Sequence, residues 1–268
     1  MPWIPRGIRE GIVTSRYPWR PDDYGPNFRA SVTVDSGSAT GDELSVAVGA
    51  CPTGAITVVD TDASLDRGAC ILCGRCVQML PQIFQFSSVI ETSSNLRARL
   101  IVPEPENDGS LAAVRGELAN RVKVLRRSVH LRHVDAGSDG SDEWEIAALT
   151  NPVYDVQRLG IYFTASPRHA DVLLVTGVGS AGMTEPLRRT LEAMPSPKVV
   201  IAAGVEAISG GLVGEGYASS GGVGSSIPID VFIPGSPASP FSLLHGILLA
   251  INMLPTNSLR GAHMTDAS

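Results

Sequence analysis

The sequence has little positive charge and no long apolar run. Its 268 residues include 21 Lys or Arg against 27 Asp or Glu, which gives a formal net charge of -6 at pH 7. An acidic chain does not suit a broad nucleic-acid surface, because such a surface needs clustered cations. No apolar stretch reaches the roughly 18 residues of a membrane-spanning helix, so we expect no direct membrane span. The segment that comes closest, residues 241–254, predicts a buried helix.

The chain also lacks the sequence patterns of an enzyme active site. Its histidines at positions 130, 133, 169 and 245 are not grouped with Ser or Cys in any nucleophile pattern. Residues 204–211 are rich in glycine after a predicted strand but lack the G-x-G-x-x-G pattern of a dinucleotide site. We therefore expect no catalytic residue in this chain.

Cysteine is scarce, and its four positions are closely spaced. Cys51, Cys70, Cys73 and Cys76 follow the pattern C-P-x17-C-x2-C-x2-C, and no cysteine is left over. A C-x2-C-x2-C run with a distant Cys-Pro is how bacterial-type ferredoxins hold a 4Fe-4S cluster, so these four residues are the predicted cluster ligands. In the ferredoxin pattern a second cluster would use positions that here carry Gly41, Leu44 and Ala47, which cannot bind iron. One cluster is expected.

Two other arrangements of four cysteines compete with a cluster. Two disulfides are disfavoured because no secretory signal is seen at the N-terminus and because three of the cysteines are closely spaced. A structural zinc site is the stronger alternative, since C-x2-C pairs also build four-thiolate zinc sites. The flanking residues favour the cluster, because small residues such as Gly68, Ala69 and Gly74 stand where the backbone must approach sulfur and donate N–H groups to it.

The first third of the chain predicts a small α+β domain. Strands are expected at 31–34 and 55–59, a helical turn at 43–48, a turn at 60–67, and a loop followed by a helix at 70–79. This alternation, with cysteines at the loop–helix junctions, predicts a ferredoxin-like domain over residues 1–95. Residues 1–34, rich in Trp and Pro, are predicted to form an extended arm on it. A linker over 96–127 contains a predicted strand at 97–105 and a predicted helix at 111–125.

From residue 128 onward, apolar strands alternate with helices. Strands are predicted at 129–134, 161–163, 170–176, 198–203 and 230–233, with helices at 142–149 and 184–194. Strands that are apolar along their whole length indicate a parallel sheet covered on both faces, so residues 128–268 predict an α/β, flavodoxin-like domain. Ligands of such sheets lie beyond the carboxyl ends of the strands. Residues 177–183, 204–211 and 234–237 are expected there.

Motifs along nearly the whole chain resemble one family of proteins. Residues 9–18 (REGIVTSRYP), 27–29 (NFR) and the cysteine region resemble the ferredoxin-type subunit of formate hydrogenlyase and related group 4 membrane-bound [NiFe] hydrogenases. Residues 128–146 (SVHLRHVDAGSDGSDEWEI) and 230–237 (DVFIPGSP) resemble the small subunit of those complexes. That small subunit is homologous to the subunit of respiratory complex I that holds its terminal cluster. The resemblance implies two subunits fused into one chain.

The resemblance also implies ligand positions that this chain does not keep. The family holds a second, proximal 4Fe-4S cluster with four cysteines in its small subunit. The matching positions here are Asp139, Asp142, Glu206 and Ser236. Four oxygen ligands are contrary to the preference of an iron–sulfur cluster for thiolates, so no cluster is expected there. Three carboxylates and a hydroxyl could instead hold Mg or Ca, or could form a wet, hydrogen-bonded pocket.

The resemblance implies an electron-transfer role without an active site of the chain's own. The expected setting is a hydrogenase-like or complex I-like oxidoreductase complex, cytoplasmic and peripheral on the inner face of the cell membrane. The expected partners are a hydrogenase large-subunit-like protein and membrane antiporter-like subunits. Because the proximal ligands are missing, a structural or docking paralogue that no longer relays electrons through the C-terminal domain is the main alternative. A cluster-based redox or oxygen sensor is a third.

Overall fold

A computed structural model describes residues 3–20, 22, 24–35, 39–60, 62–104, 108–125 and 128–254. The α-helices are α1 (Trp3–Glu10), α2 (Gly41–Ala50), α3 (Arg75–Met79), α4 (Asp108–Arg121), α5 (Ser141–Ala148), α6 (Thr184–Ala193), α7 (Gly204–Ser209) and α8 (Pro240–Ala250). The strands are β1 (Ser31–Val34), β2 (Ile56–Val59), β3 (Asp62–Asp66), β4 (Phe84–Ser87), β5 (Ile101–Val102), β6 (Val129–Asp135), β7 (Ile161–Phe163), β8 (Val172–Thr176), β9 (Val199–Ala203) and β10 (Val231–Ile233).

The C-terminal half is built on a five-stranded parallel sheet in the order β10-β9-β8-β6-β7. The order reverses at β6, whose neighbours are β7 and β8, as in flavodoxin-like folds. Every residue of β8 and β9 is buried. The predicted parallel α/β sheet is confirmed, as are its five strands to within one or two residues.

Both faces of this sheet are covered, and the strand residues alternate between them. Val172 and Leu174 of β8 belong to one hydrophobic cluster, while Leu173 and Val175 belong to another. This alternation follows from the two-residue period of a strand. Helix α8 covers the first face and is buried along its whole length, as predicted for this apolar segment.

The first third of the chain has its own hydrophobic cluster and two small antiparallel sheets. Strand β1 pairs with β4, while β2, β3 and β5 form the second sheet. Leu44 of α2 and Phe84 of β4 are among its most buried side chains. Helix α2 begins with a capping box, in which Thr40 and Glu43 each accept a backbone N–H of the other. The helices predicted near 43–48 and at the end of 70–79 are confirmed.

Two local predictions for this region are wrong. Residues 62–66, predicted as a turn, form β3 and pair in register with β2. Only Leu65 of this strand is buried. The strand is therefore mostly polar and lacks the apolar pattern from which a strand is predicted. Residues 97–105, predicted as a strand, begin with a 3-10 helix (Arg97–Leu100) and contribute only the two residues of β5.

The arm predicted at residues 1–34 differs from the expectation in two ways. Residues 3–10 form α1 instead of an extended chain. Tyr17 is 2% exposed and packs in the core of the parallel sheet, with its ring centroid 5.8 Å from that of Phe241. The backbone N–H of Ser15 donates to the carbonyl of Val153 at 2.8 Å.

In the parts of the chain that the structure describes, none of the helices combines the length and apolar character needed to cross a bilayer.

Candidate functional site

The four predicted ligand cysteines line a single pocket. Cys51 ends α2, Cys70 and Cys73 lie in the loop before α3, and Cys76 lies within α3. All four are free thiols, and the pocket that they share has a volume of about 340 Å³ including its open mouth. The fold therefore brings together residues that are up to 25 positions apart in the sequence.

The loop that carries Cys70 and Cys73 turns through two residues of left-handed backbone conformation. Leu72 has φ 57° and Gly74 has φ 74°. A side chain at Gly74 would meet two obstacles: the left-handed conformation and the Phe86 ring, whose nearest atom lies 2.9 Å from the Cβ position. Glycine at this position allows the chain to turn tightly from one thiol to the next and to begin α3.

Backbone N–H groups point at the sulfur atoms. The N–H of Ala55 donates to Cys51 Sγ at 3.3 Å, and the N–H groups of Leu72 and Val77 donate to Cys70 and Cys76. Burial raises the pKa of the Cys70 thiol to about 12, and the neighbouring cysteines add to the effect. Thiols held so close together keep their protons unless a bound cation replaces them.

The donor set of this pocket fits an iron–sulfur cluster. It supplies four thiols, with no His, Asp or Glu among its lining residues. Four thiolates with backbone N–H donors are the ligand environment of a 4Fe-4S centre. Within the described ranges, no group of three or more His, Cys, Asp or Glu side chains is arranged to hold a metal ion.

A cation that the sequence reasoning missed lies beside Cys70. Arg67 and Cys70 both line a second pocket of about 220 Å³, which also touches Pro234 and Gly235 at the end of β10. The Arg67 Nε–H donates to the carbonyl of Val32 at 3.3 Å. Burial lowers the pKa of this guanidinium, while the charges of a glutamate and of Cys70 oppose that shift. In the sequence, only the position of Arg67, three residues before Cys70, indicated that this cation lies near the cysteine pocket.

The residues at the missing proximal-cluster positions follow the parallel strands, with Asp142 in α5, Glu206 in α7, and Asp139 and Ser236 in loops. The backbone N–H of Asp139 donates to Glu206 Oε2 at 3.3 Å. Asp142 is 2% exposed, and its Oδ1 accepts the N–H of Ala238 at 2.9 Å. Ser236 precedes Pro237 in the same loop as Ala238. Asp139, Asp142 and Glu206 are therefore near enough to one another at the carboxyl edge of the sheet for their charges to interact.

We call the group formed by Asp139, Asp142 and Glu206 the acidic edge of the sheet. The direction of the pKa shift differs among these three carboxylates. Burial raises the pKa of Asp142 to about 7, with nearby carboxylates contributing. Burial and then the charge of Asp139 raise the pKa of Glu206. The hydroxyl and N–H of Ser141 donate to Asp139 and lower its pKa. The hard-cation site at this edge stays a prediction.

A polar network next to this edge was also missed. Glu143 accepts hydrogen bonds from the hydroxyls of Ser138, at 2.7 Å, and Thr176. The Nε2 atom of His133 lies 3.0 Å from Thr176 Oγ1 and 3.6 Å from Glu143 Oε1. The end of β8, the segment after β6 and the start of α5 are thereby joined by hydrogen bonds between side chains. Glu143 directly follows Asp142, which is the only feature of the sequence that pointed to it.

The comparisons with known proteins each match part of the chain. Residues 140–250 match the family described as NADH ubiquinone oxidoreductase, 20 Kd subunit. The chain is 37% identical over 154 residues to formate hydrogenlyase subunit 7 of Escherichia coli (strain K12), covering 57% of this chain and 59% of that protein. It is 36% identical over 148 residues to the probable membrane-bound hydrogenase subunit mbhJ of Pyrococcus furiosus, covering 55% of this chain and 89% of that protein.

A solved structure is also similar. It is a chain in the structure of the membrane-bound sulfane sulfur reductase, an archaeal respiratory membrane complex, with 29% identity and a TM-score of 0.44. The match covers 50% of this chain and 73% of that one.

The five-stranded parallel sheet gives the fold class, a flavodoxin-like α/β fold, and the family match gives the class of protein, an oxidoreductase subunit. The chain belongs to the family of the NADH ubiquinone oxidoreductase 20 Kd subunit, and its relatives there include proteins named as hydrogenase subunits. The family resemblance predicted from the sequence is confirmed. The chain spans about three fifths of the length of the formate hydrogenlyase subunit that it matches.

Proposed function

We propose that this chain is an iron–sulfur subunit of a hydrogenase-like or complex I-like oxidoreductase complex, associated with the membrane. It carries one 4Fe-4S cluster on Cys51, Cys70, Cys73 and Cys76. The cluster supplies one-electron transfer when bound. The chain's own residues hold the cluster, donate N–H groups to the sulfurs and exclude bulk water from one side of it. The observation that carries the proposal is the meeting of all four free thiols in one pocket.

The order of elements around the pocket supports a ferredoxin-like first domain. The order β1-α2-β2-β3-α3-β4 repeats strand–helix–strand twice, as ferredoxin-like domains do. We divide the chain into this domain at 1–95, a linker at 96–127 and a small-subunit-like domain at 128–268. Two residues of the first segment, Tyr17 and Ile90, pack into the hydrophobic core of the last. The first segment thus also contributes to the body of the second domain.

A cluster suits the pocket better than zinc does. Both a structural zinc ion and a 4Fe-4S cluster can be held by four thiolates. The backbone N–H groups of Ala55, Leu72 and Val77 donate to three of the four cysteine sulfurs. N–H donors around the cysteine sulfurs are typical of a cluster and support it over zinc.

The proposed partners follow from the relatives. Two of them are named as subunits of formate hydrogenlyase and of a membrane-bound hydrogenase. By analogy, a hydrogenase large-subunit-like protein and antiporter-like membrane subunits are the partners of this chain. They hold it at the cytoplasmic, inner face of the membrane.

A second candidate function rests on the acidic edge of the sheet. The chain has only the four cysteines of the first pocket, so no thiol remains for a cluster at Asp139, Asp142, Glu206 and Ser236. Buried Asp142 instead joins the start of α5 to the loop that contains Ser236, through its bond to Ala238. A structural or docking paralogue, whose C-terminal domain no longer relays electrons, fits this substitution of hydrogen bonds for a cluster.

Iron and acid-labile sulfide analysis of anaerobically purified protein tests the cluster. We expect about four of each per chain, and loss of both in Cys70→Ser, because serine removes a thiolate without changing the size of the side chain. Gln78→Ser, on the exposed side of α3, is the matched control and should keep the cluster. Zinc without sulfide in the unaltered protein would contradict the proposal.

The Cys70→Ser variant also separates the two candidate functions once it is placed in the native complex. If the cluster relays electrons, the complex assembles but its electron transfer falls by at least tenfold. If the chain is a docking paralogue, the complex keeps its activity. The comparison requires equal amounts of assembled complex, measured by the content of partner subunits.

A further inference from the structure

Helix α1 presents an apolar face that nothing in the described structure covers. All eight of its residues are exposed, and so are the three that follow it. Trp3, Ile4 and Ile8 are 68%, 43% and 79% exposed, and Ile12 is 83% exposed. At 100° per residue, the first three side chains fall on one side of the helix, and Arg6 and Arg9 fall on the other. A one-sided apolar surface of this kind indicates a contact surface.

The charge of this segment is opposite to that of the chain. Residues 3–20 contain four arginines and one glutamate, whereas the whole chain has a net charge of -6. Arg6 pairs with Glu10 at 2.6 Å on the surface of α1, while Arg9, Arg16 and Arg20 are all exposed. An acidic protein therefore has a basic end next to an apolar helix face. That combination is complementary to a negatively charged surface with an apolar interior.

We propose that α1 lies in the interface of an anionic lipid bilayer. Its Trp3–Ile4–Ile8 face enters the boundary between headgroups and acyl chains, and its arginines contact lipid phosphates. Amphipathic helices with Trp or Ile on one face and Arg on the other bind membranes in this way. The inference extends the proposed membrane-associated function, because it gives this chain a lipid contact of its own and not only one through partner subunits.

The attachment of α1 to the domain suits this role. The Oγ1 of Thr14 donates to the carbonyl of Pro152 at 2.7 Å, and Ser15 and Tyr17 are buried against the C-terminal domain. The helix therefore extends from a fixed point and holds its apolar face away from the domain. One short helix binds lipid weakly and reversibly. Such an anchor reinforces docking on membrane subunits, which would otherwise have to orient the chain alone.

Flotation of the full-length protein with lipid vesicles tests the proposal. We expect binding to vesicles of phosphatidylglycerol and phosphatidylcholine, and much weaker binding to phosphatidylcholine alone or in roughly 0.5 M salt. The double variant Ile4→Asp/Ile8→Asp should abolish flotation, and Arg6→Gln/Arg9→Gln should weaken it by roughly tenfold. The matched control is Leu212→Asp/Val213→Asp, because this pair is 67% and 64% exposed elsewhere on the surface. The control should float like the unaltered protein.

Tryptophan fluorescence locates the contact. A variant that keeps only Trp3 should shift its emission to shorter wavelength on anionic vesicles, whereas a variant that keeps only Trp144, which is 79% exposed on α5, should not. Failure to float, equal shifts of both tryptophans, or binding of α1 to a partner subunit without any vesicle binding would each overturn the proposal. Iron content, measured separately on the same samples, reports on the cluster, so failure of one proposal is distinguishable from failure of the other.

Discussion

A hydrogen bond between Asp142 and Ala238 joins the start of α5 to the loop after β10, at the carboxyl edge of the parallel sheet. The Asp142 side chain at the start of α5 accepts the backbone N–H of Ala238 at 2.9 Å. Gly204 leaves room for this carboxylate, since a Cβ there would lie 2.0 Å from Asp142 Oδ2. A buried carboxylate with a single backbone donor and other acids nearby is held at an electrostatic cost.

We expect Asp142→Asn to stabilise the protein above neutral pH. Burial, with help from nearby carboxylates, raises the pKa of Asp142 from 3.8 to about 7. The folded state therefore binds this proton more tightly than the unfolded state, and the free energy of unfolding falls as the pH rises from about 4 to about 7. An amide avoids this loss and can still accept from Ala238. The gain should be roughly 1–3 kcal/mol at pH 8 and should vanish near pH 4, as measured by denaturant unfolding.

Asp139→Asn is the control for that measurement. Hydrogen bonds from Ser141 lower the pKa of Asp139, so its ionised form stabilises the fold above its ordinary pKa and this contribution is lost as the pH falls. The variant should therefore bring no gain at pH 8. A similar gain in both variants would mean that general charge reduction, and not the burial of Asp142, is responsible.

Restoring thiolates at the acidic edge tests whether the loops have kept the geometry of a cluster site. Because Asp139, Asp142 and Glu206 already converge there, we expect the quadruple variant with Cys at these three positions and at Ser236 to raise iron from about four to about eight per chain. Anaerobic reconstitution followed by iron and sulfide analysis gives the count. The control is the triple variant that carries Cys at positions 139, 142 and 206 and keeps Ser236. A count that stays near four would mean that the strand ends have moved.

Arg67→Gln should lower the reduction potential of the cluster. The guanidinium is half-buried beside Cys70, and a nearby cation stabilises the more negative, reduced cluster. We expect a decrease of roughly 30–60 mV in a redox titration followed by electron paramagnetic resonance. Arg75→Gln is the matched control, because Arg75 lines the cysteine pocket but is exposed, so solvent screens its charge. An equal decrease in both variants would argue against a special role for Arg67.

Gly177→Ala should destabilise the parallel sheet. Gly177 has φ 84°, and a Cβ there would lie 2.6 Å from the backbone of Gly137 and Ser138, which follow the neighbouring strand. Strain and overlap together should cost roughly 2–4 kcal/mol in denaturant unfolding. Gly182→Ala, whose Cβ would meet nothing within 4 Å, should change the stability by less than about 0.5 kcal/mol. Similar losses in both variants would contradict this explanation.

The sequence alone determined the grouping of three of the four thiols and the parallel sheet. The C-x2-C-x2-C spacing confines three thiols to one loop and helix, so a shared pocket follows from chain connectivity. The strands of the sheet were predictable because apolar residues run along their whole length, which only a doubly covered parallel sheet accommodates. Where a strand is exposed and polar, as at residues 62–66, the same reasoning failed.

Only the tertiary structure decided how distant segments meet. Tyr17 lies far from Phe241 in sequence, and nothing in the composition of the N-terminal segment indicated that its ring fills the core of the C-terminal sheet. The contacts of Arg67 with Val32 and of Asp142 with Ala238 likewise depend on segments that converge from separate elements. Local sequence sets periodicity, turns and caps, because those interactions span a few residues. The burial and charge environment of a side chain depends on what the whole chain packs against it.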